Sequence, residues 1–238
     1  MSEMSKMSKM SEMVTFKSNG GTASGYLASP ASGKGPGVIV IQEYWGLIDQ
    51  VKGTADMFAR EGFNALAPDF YHGKSAKIGE PDAAQKLMME LNIGQAAKDA
   101  TGAAQYLASH PNTSSKKVGV IGFCMGGMLA LMTGTVASDV VGAVVDCYGV
   151  PPQAKPDYSK LKGIPVLGIF GGKDDMVMNA LPTLEADLKA AGAPFEKIVY
   201  PDADHAFLNE QRADAHRPDD AKDAWPKISA FLKRHLAS

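Results

Sequence analysis

Cysteine is scarce: only Cys124 and Cys147 occur in 238 residues. That excludes the disulfide framework of a small secreted scaffold, and both sit in apolar segments suited to a reducing compartment. An excess of charge of one sign is also missing. Against 26 Asp and Glu stand 24 Lys and Arg, a formal net charge of −2, whereas neutralising nucleic-acid phosphates takes clustered cations. No apolar run approaches the roughly 20 residues that span a bilayer, and the N-terminus lacks the apolar stretch of a signal peptide. Neither an H-E-x-x-H pattern nor paired C-x-x-C ligands occur, so no metal is implied. The expectation is a cytoplasmic protein with a small-molecule substrate, no nucleic-acid or membrane partner, and no cofactor.

What is present is ordinary globular composition, 45% hydrophobic and 21% charged, with enough length to bury a substantial core. Met1–Met13 carries Met at every third position and reads as a flexible N-terminal extension, residues 1–13. Residues 14–238 read as one domain. Val14–Ser18 and Thr22–Ala28 alternate around Asn19-Gly20-Gly21, a hairpin signal. Strand-type runs follow at Gly37–Gln42, Phe63–Pro68, Lys117–Ile121, Val141–Tyr148, Ile164–Phe170 and Phe195–Tyr200. Helical spacing lies between them at Ile48–Glu61, Asp82–Met89, Gly94–His110, Met125–Val136 and Leu181–Ala191, with a closing helix at Asp219–Leu236. Tyr71–Pro81 is polar and irregular, an excursion over the sheet edge. This alternation predicts an α/β fold: a mostly parallel sheet with helices on both faces.

Sheets of this kind place their sites beyond the C-terminal ends of the strands. Glu43-Tyr44-Trp45 follows the first buried run, and Gly122-Phe123-Cys124-Met125-Gly126 follows the third. Lys173-Asp174-Asp175 and Asp202-Ala203-Asp204-His205 follow the last two. A thiol, carboxylates and an imidazole therefore converge on one rim.

Gly122-Phe123-Cys124-Met125-Gly126 has the form G-x-C-x-G, the thiol counterpart of a nucleophile elbow. A sharp strand-to-helix turn strains the nucleophile, and side chains two positions either side would clash, so glycine stands there. The turn exposes sulfur at a helix N-terminus, where the dipole favours thiolate. On its own, the pattern also fits a buried cysteine on a glycine-rich turn. The partners follow in the order nucleophile, acid, base. His205 is the base; His72, His110, His216 and His235 compete, but none follows a strand in such company. Asp174 is the acid, with Asp175 as its rival. The backbone N–H groups of Met125 and Tyr44 are the candidate oxyanion hole, and Trp45 the apolar wall of a substrate pocket.

The ordered motifs VIVIQEYWG, APDFYHG, VGVIGFCMGG, GGKDDMV, DADHAF and AWPKISAFL resemble the dienelactone hydrolase (carboxymethylenebutenolidase-like) family of α/β hydrolases from about Gly37 to the C-terminus. The resemblance implies a single-domain α/β-hydrolase fold and a Cys-His-Asp triad at Cys124, His205 and Asp174. The acid stands three residues before Val177, which selects Asp174 over Asp175. It further implies that Glu43 contacts the resting thiol and moves when substrate binds. In one respect the chain departs from the family. Arginines that hold an anionic substrate are absent: Tyr71–Asn92 offers only Lys74, Lys77 and Lys86 as Lys or Arg, and Asn209 stands four residues past His205. Arg212 is the nearest guanidinium in the sequence. The expected activity is cysteine-dependent hydrolysis of small neutral or activated esters or lactones through a thioester, extending to phosphotriesters. The rival expectation is a non-catalytic ligand-binding or thiol-sensing protein on the same fold.

Overall fold

Asn19 and Gly20 take φ of 35° and 91°, the left-handed pair that a tight two-residue hairpin turn requires. They join β1 (Ser11–Ser18) to β2 (Gly21–Ala28) in an antiparallel pair. In this computed structural model, residues 11–152 and 154–237 are described. β1 thus begins three residues before the expected Val14. The rest of the proposed N-terminal extension, residues 1–10, lies outside the described residues.

β2 runs antiparallel to β4 (Asn64–Pro68), and the remaining strands are parallel. These are β3 (Gly37–Ile41), β5 (Val118–Phe123), β6 (Val141–Cys147), β7 (Val166–Gly171) and β8 (Phe195–Tyr200). The sheet order is β1-β2-β4-β3-β5-β6-β7-β8. Every residue of β3, β4 and β5 is buried, which is why these strands read as near-continuous apolar runs rather than alternating ones.

Helices cover both faces. α1 (Asp49–Arg60) and α6 (Pro218–Leu236) share one, where Phe58 meets Trp225 edge to face at 6.1 Å. α3 (Ile93–Ala108) and α4 (Met125–Val136) pack together on the other. α5 (Asp175–Ala191) joins them through a 3-10 turn at Tyr158–Leu161. α5 begins six residues before the expected Leu181. Pro182 lies inside it and masks the first turns, whose start is fixed by the Asp174 side chain accepting the Val177 N–H at 3.3 Å.

The excursion after β4 leads into α2 (Pro81–Glu90) and folds over the β3 loop. Ala76 donates its N–H to the Trp45 carbonyl at 2.9 Å, Gly46 pairs with Ser75, and Trp45 packs with Ala76 and Ala84. It therefore forms a wall beside the strand-end rim. Among the described residues, no helix is long and apolar enough to cross a membrane.

Candidate active site

Cys124 sits between β5 and α4 with φ 58° and ψ −123°. A β-carbon on Gly122 would lie 1.7 Å from the Gly126 carbonyl oxygen, and one on Gly126 2.3 Å from that of Gln42. Only glycine fits either place, so the two glycines are what permit a non-glycine residue at a strained φ. The Cys124 N–H is anchored on the Cys147 carbonyl at 3.0 Å, and its own carbonyl accepts from Gly127 at 2.9 Å. The bend is therefore fastened from both sides.

His205 comes from the loop after β8 and Asp174 from the end of β7. His205 Nδ1 lies 2.5 Å from Asp174 Oδ2, while the other Asp174 oxygen caps α5. One carboxylate thus joins the imidazole to a rigid helix. Nδ1 being engaged, Nε2 is the ring nitrogen left free to face Cys124, whose thiol interacts with the imidazole. Burial pulls the imidazole pKa down. The hydrogen bond that Nδ1 donates to Asp174 and the interaction with Cys124, with the charge of both, more than offset this and carry it up to about 10. Asp175 is exposed and starts α5. Of the competing histidines, His72 pairs with buried Asp99 at 2.7 Å and His110 with Asn64 at 3.2 Å. His216 lies against the Phe207 carbonyl and His235 beside Arg234.

Glu43 is buried, with 5% exposure. Its Oε2 accepts from Trp45 Nε1 at 3.1 Å and from Asn209 Nδ2 at 3.0 Å. Burial raises its pKa, while Asn209, the charges of His205 and Arg212, and Trp45 oppose the rise. Both donors are neutral and meet the same oxygen, and no hydrogen bond joins Glu43 to the Cys124 thiol among the described residues. Trp45 is buried, and its indole N–H holds the carboxylate. Its ring meets Tyr44 at 4.6 Å. Arg212 lies 5.9 Å over Trp45, with its fork engaged by Asp214 at 2.8 and 2.6 Å.

The Tyr44 and Met125 N–H groups have no hydrogen-bond acceptor among the described residues. Met125 opens α4, where the first amides lack intrahelical partners. The Tyr71 hydroxyl sits 3.0 Å from the Tyr44 carbonyl oxygen and 3.4 Å from Met125 Sδ, so it links the two segments that bear these amides. Tyr71 had a signal in sequence, because it stands three residues past the end of β4. Tyr148 had a weaker one, at the end of β6. Its ring packs edge-on to His205 at 5.3 Å, φ is 42°, and its buried hydroxyl has no partner among the described residues.

A nucleophile-type elbow at the end of β5, an acid after β7 and an imidazole after β8, on a sheet of this order, define an α/β hydrolase. The model of the dienelactone hydrolase family matches residues 23–236, and the chain belongs to that family; it is an ester-bond hydrolase. "Protein usf" of Aquifex pyrophilus is 41% identical over 94% of this chain and 99% of its own length. A candidate carboxymethylenebutenolidase of Aquifex aeolicus is 34% identical over the same shares. Among solved structures, a candidate dienelactone hydrolase of Klebsiella pneumoniae superposes with a TM-score of 0.81 at 28% identity, covering 94% of this chain and 98% of its own. A dienelactone hydrolase-like promiscuous phosphotriesterase from metagenomic libraries, P91, shares the fold at TM-score 0.79 and 21% identity, covering 95% and 98%.

Proposed function

We propose that the chain hydrolyses small uncharged esters or lactones through a Cys124 thioester, with His205 as proton carrier and Asp174 as its orienting acid. The observation that carries this is the Asp174–His205 pair, with Nδ1 held at 2.5 Å, beside an elbow that presents Cys124 close enough to help raise the imidazole pKa. An imidazole that binds a proton this firmly is suited to take one from a thiol. Sulfur then attacks the carbonyl carbon, and the oxyanion accepts from the free Tyr44 and Met125 amides. The imidazolium returns its proton to the leaving alkoxide, and the thioester remains. Neutral His205 next takes a proton from water, hydroxide adds to the thioester, and collapse releases the acid and sulfur, which recovers the proton from His205.

Charge around the site favours an uncharged substrate. Asn209 is committed to Glu43 and Arg212 to Asp214, while Lys74, Lys77 and Lys86 are exposed. None of these presents a free guanidinium fork for a substrate carboxylate. The same two amides suit a phosphoryl oxygen, and the fold shared with a phosphotriesterase supports a secondary activity on neutral aryl phosphotriesters.

A panel of aryl esters, lactones and phosphotriesters, run with wild type and Cys124→Ala, tests the reading. Turnover by wild type that disappears in the variant is expected. Equal hydrolysis by both proteins contradicts it, and saturable binding without turnover favours the ligand-binding alternative.

A further inference from the structure

Asp146, near the end of β6, is an acid for which the thioester chemistry has no use. It is only 1% exposed. One oxygen, Oδ1, accepts from the Gly149 N–H at 2.8 Å, and the other has no donor among the described residues. A β-carbon on Gly127 or on Gly149 would lie 2.3 Å from Oδ1, so two glycines are needed to seat this carboxyl. Burying a carboxyl with one hydrogen bond and no cation is costly. Its pKa shows the cost: burial carries it up to about 7, and the Gly149 N–H pulls it down only in part.

The carboxyl borders a cavity of about 250 Å³ between α4, α5 and the segment after β6. Leu131, Val150, Phe170 and Leu181 give it apolar walls. Two other charged residues line it, Lys155 and Asp187, and they pair with each other. The Asp146 carboxylate is then the charge in the cavity without a counterion.

We propose that this cavity is a binding site, separate from Cys124, for a small monoamine with a compact apolar body. The ammonium donates to the free oxygen of Asp146, and the hydrocarbon lies against the four apolar walls. A carboxylate ligand is repelled, and a neutral alcohol supplies a hydrogen bond without the missing charge. Occupancy also has a route to the reaction centre. The cavity residues Gly149 and Val150 follow Tyr148, whose ring touches His205, and the Val150 N–H donates to the Cys124 carbonyl at 3.3 Å.

Isothermal titration of the full chain with benzylamine, benzyl alcohol and benzoate at pH 8 tests the site. Saturable one-to-one binding of benzylamine is expected, about tenfold or more tighter than benzyl alcohol, with none for benzoate. Asp146→Asn keeps the acceptor for Gly149 and should weaken the amine by a similar factor. Leu184→Trp, at the half-buried wall, should abolish binding, while Cys124→Ala should retain it. No saturable binding by wild type, undiminished binding by Asp146→Asn, or loss in Cys124→Ala each overturns the proposal. The Cys124→Ala arm reads this site with the thioester chemistry removed, so the two proposals fail separately.

Discussion

Glu43 depends on two neutral donors, Trp45 and Asn209, for its place in a buried site. Removing one leaves an acid that is both desolvated and half satisfied. Asn209→Ala should therefore cost about 1–3 kcal/mol of folding stability, read from the midpoint of urea denaturation. An unchanged midpoint would mean that Trp45 alone suffices. Asn209 also explains how the site manages at a position where the family resemblance leads one to expect arginine. Its amide is directed inward to Glu43 instead of outward to a substrate anion. The sequence exposed the substitution but not its use, because the partner lies 166 residues away.

At the scale of elements, Asp174 serves two structures at once, capping α5 with one oxygen and holding His205 with the other. Two substitutions separate these duties. Asp174→Asn keeps an oxygen for the cap and loses the charge; stability should stay near wild type while kcat falls about 10³–10⁴-fold. Asp174→Ala should lose a similar amount of activity and a further ~0.5–2 kcal/mol of stability. Thermal melts beside initial rates check both, and equal stability of the two variants would contradict the capping role. The elbow gives a starker case. Gly126→Ala forces a β-carbon to 2.3 Å from backbone oxygen, and should cost more than about 3 kcal/mol or prevent folding, as judged by soluble yield and melting.

These elements were legible to different degrees. The buried strands and α4 stood out because apolar runs and flanking glycines are local signals. The start of α5 did not, since Pro182 reads as a breaker while the cap that defines the helix is a side-chain contact of Asp174. Cys124 and His205 could be named from position after strands, whereas Asp174 was separated from its neighbour Asp175 only by the family resemblance. Tyr71 and Tyr148 followed strands too, but their roles come from where a hydroxyl or a ring points, which sequence does not encode locally. Glu43 was placed correctly at the strand end; its partners had to be seen in three dimensions.

For the whole molecule, two groups make stability depend on pH in opposite ways. His205 binds its proton up to about pH 10 when folded, against about 6.5 unfolded. Its contribution is fully present below pH 6.5 and is lost as pH rises to 10. The Tm advantage of wild type over His205→Gln should shrink across that interval; a constant difference would contradict it. Asp146, carried up to about 7 when folded, binds more protons folded than unfolded between about 4 and 7. Stability from this group falls as pH rises through that window. Asp146→Asn should raise Tm at pH 8 and change it little at pH 4, and the reverse pattern would show the carboxylate to be paired.

Chemistry at sulfur is tested most directly by catching the intermediate. His205→Asn should slow deacylation while leaving the elbow and the free amides in place. After brief exposure of this variant to an activated aryl ester, peptide mass spectrometry should find the acyl group on the fragment containing Cys124, released by hydroxylamine. Acylation of any other residue, or multiple turnovers by the wild type with Cys124 irreversibly alkylated, would contradict the account.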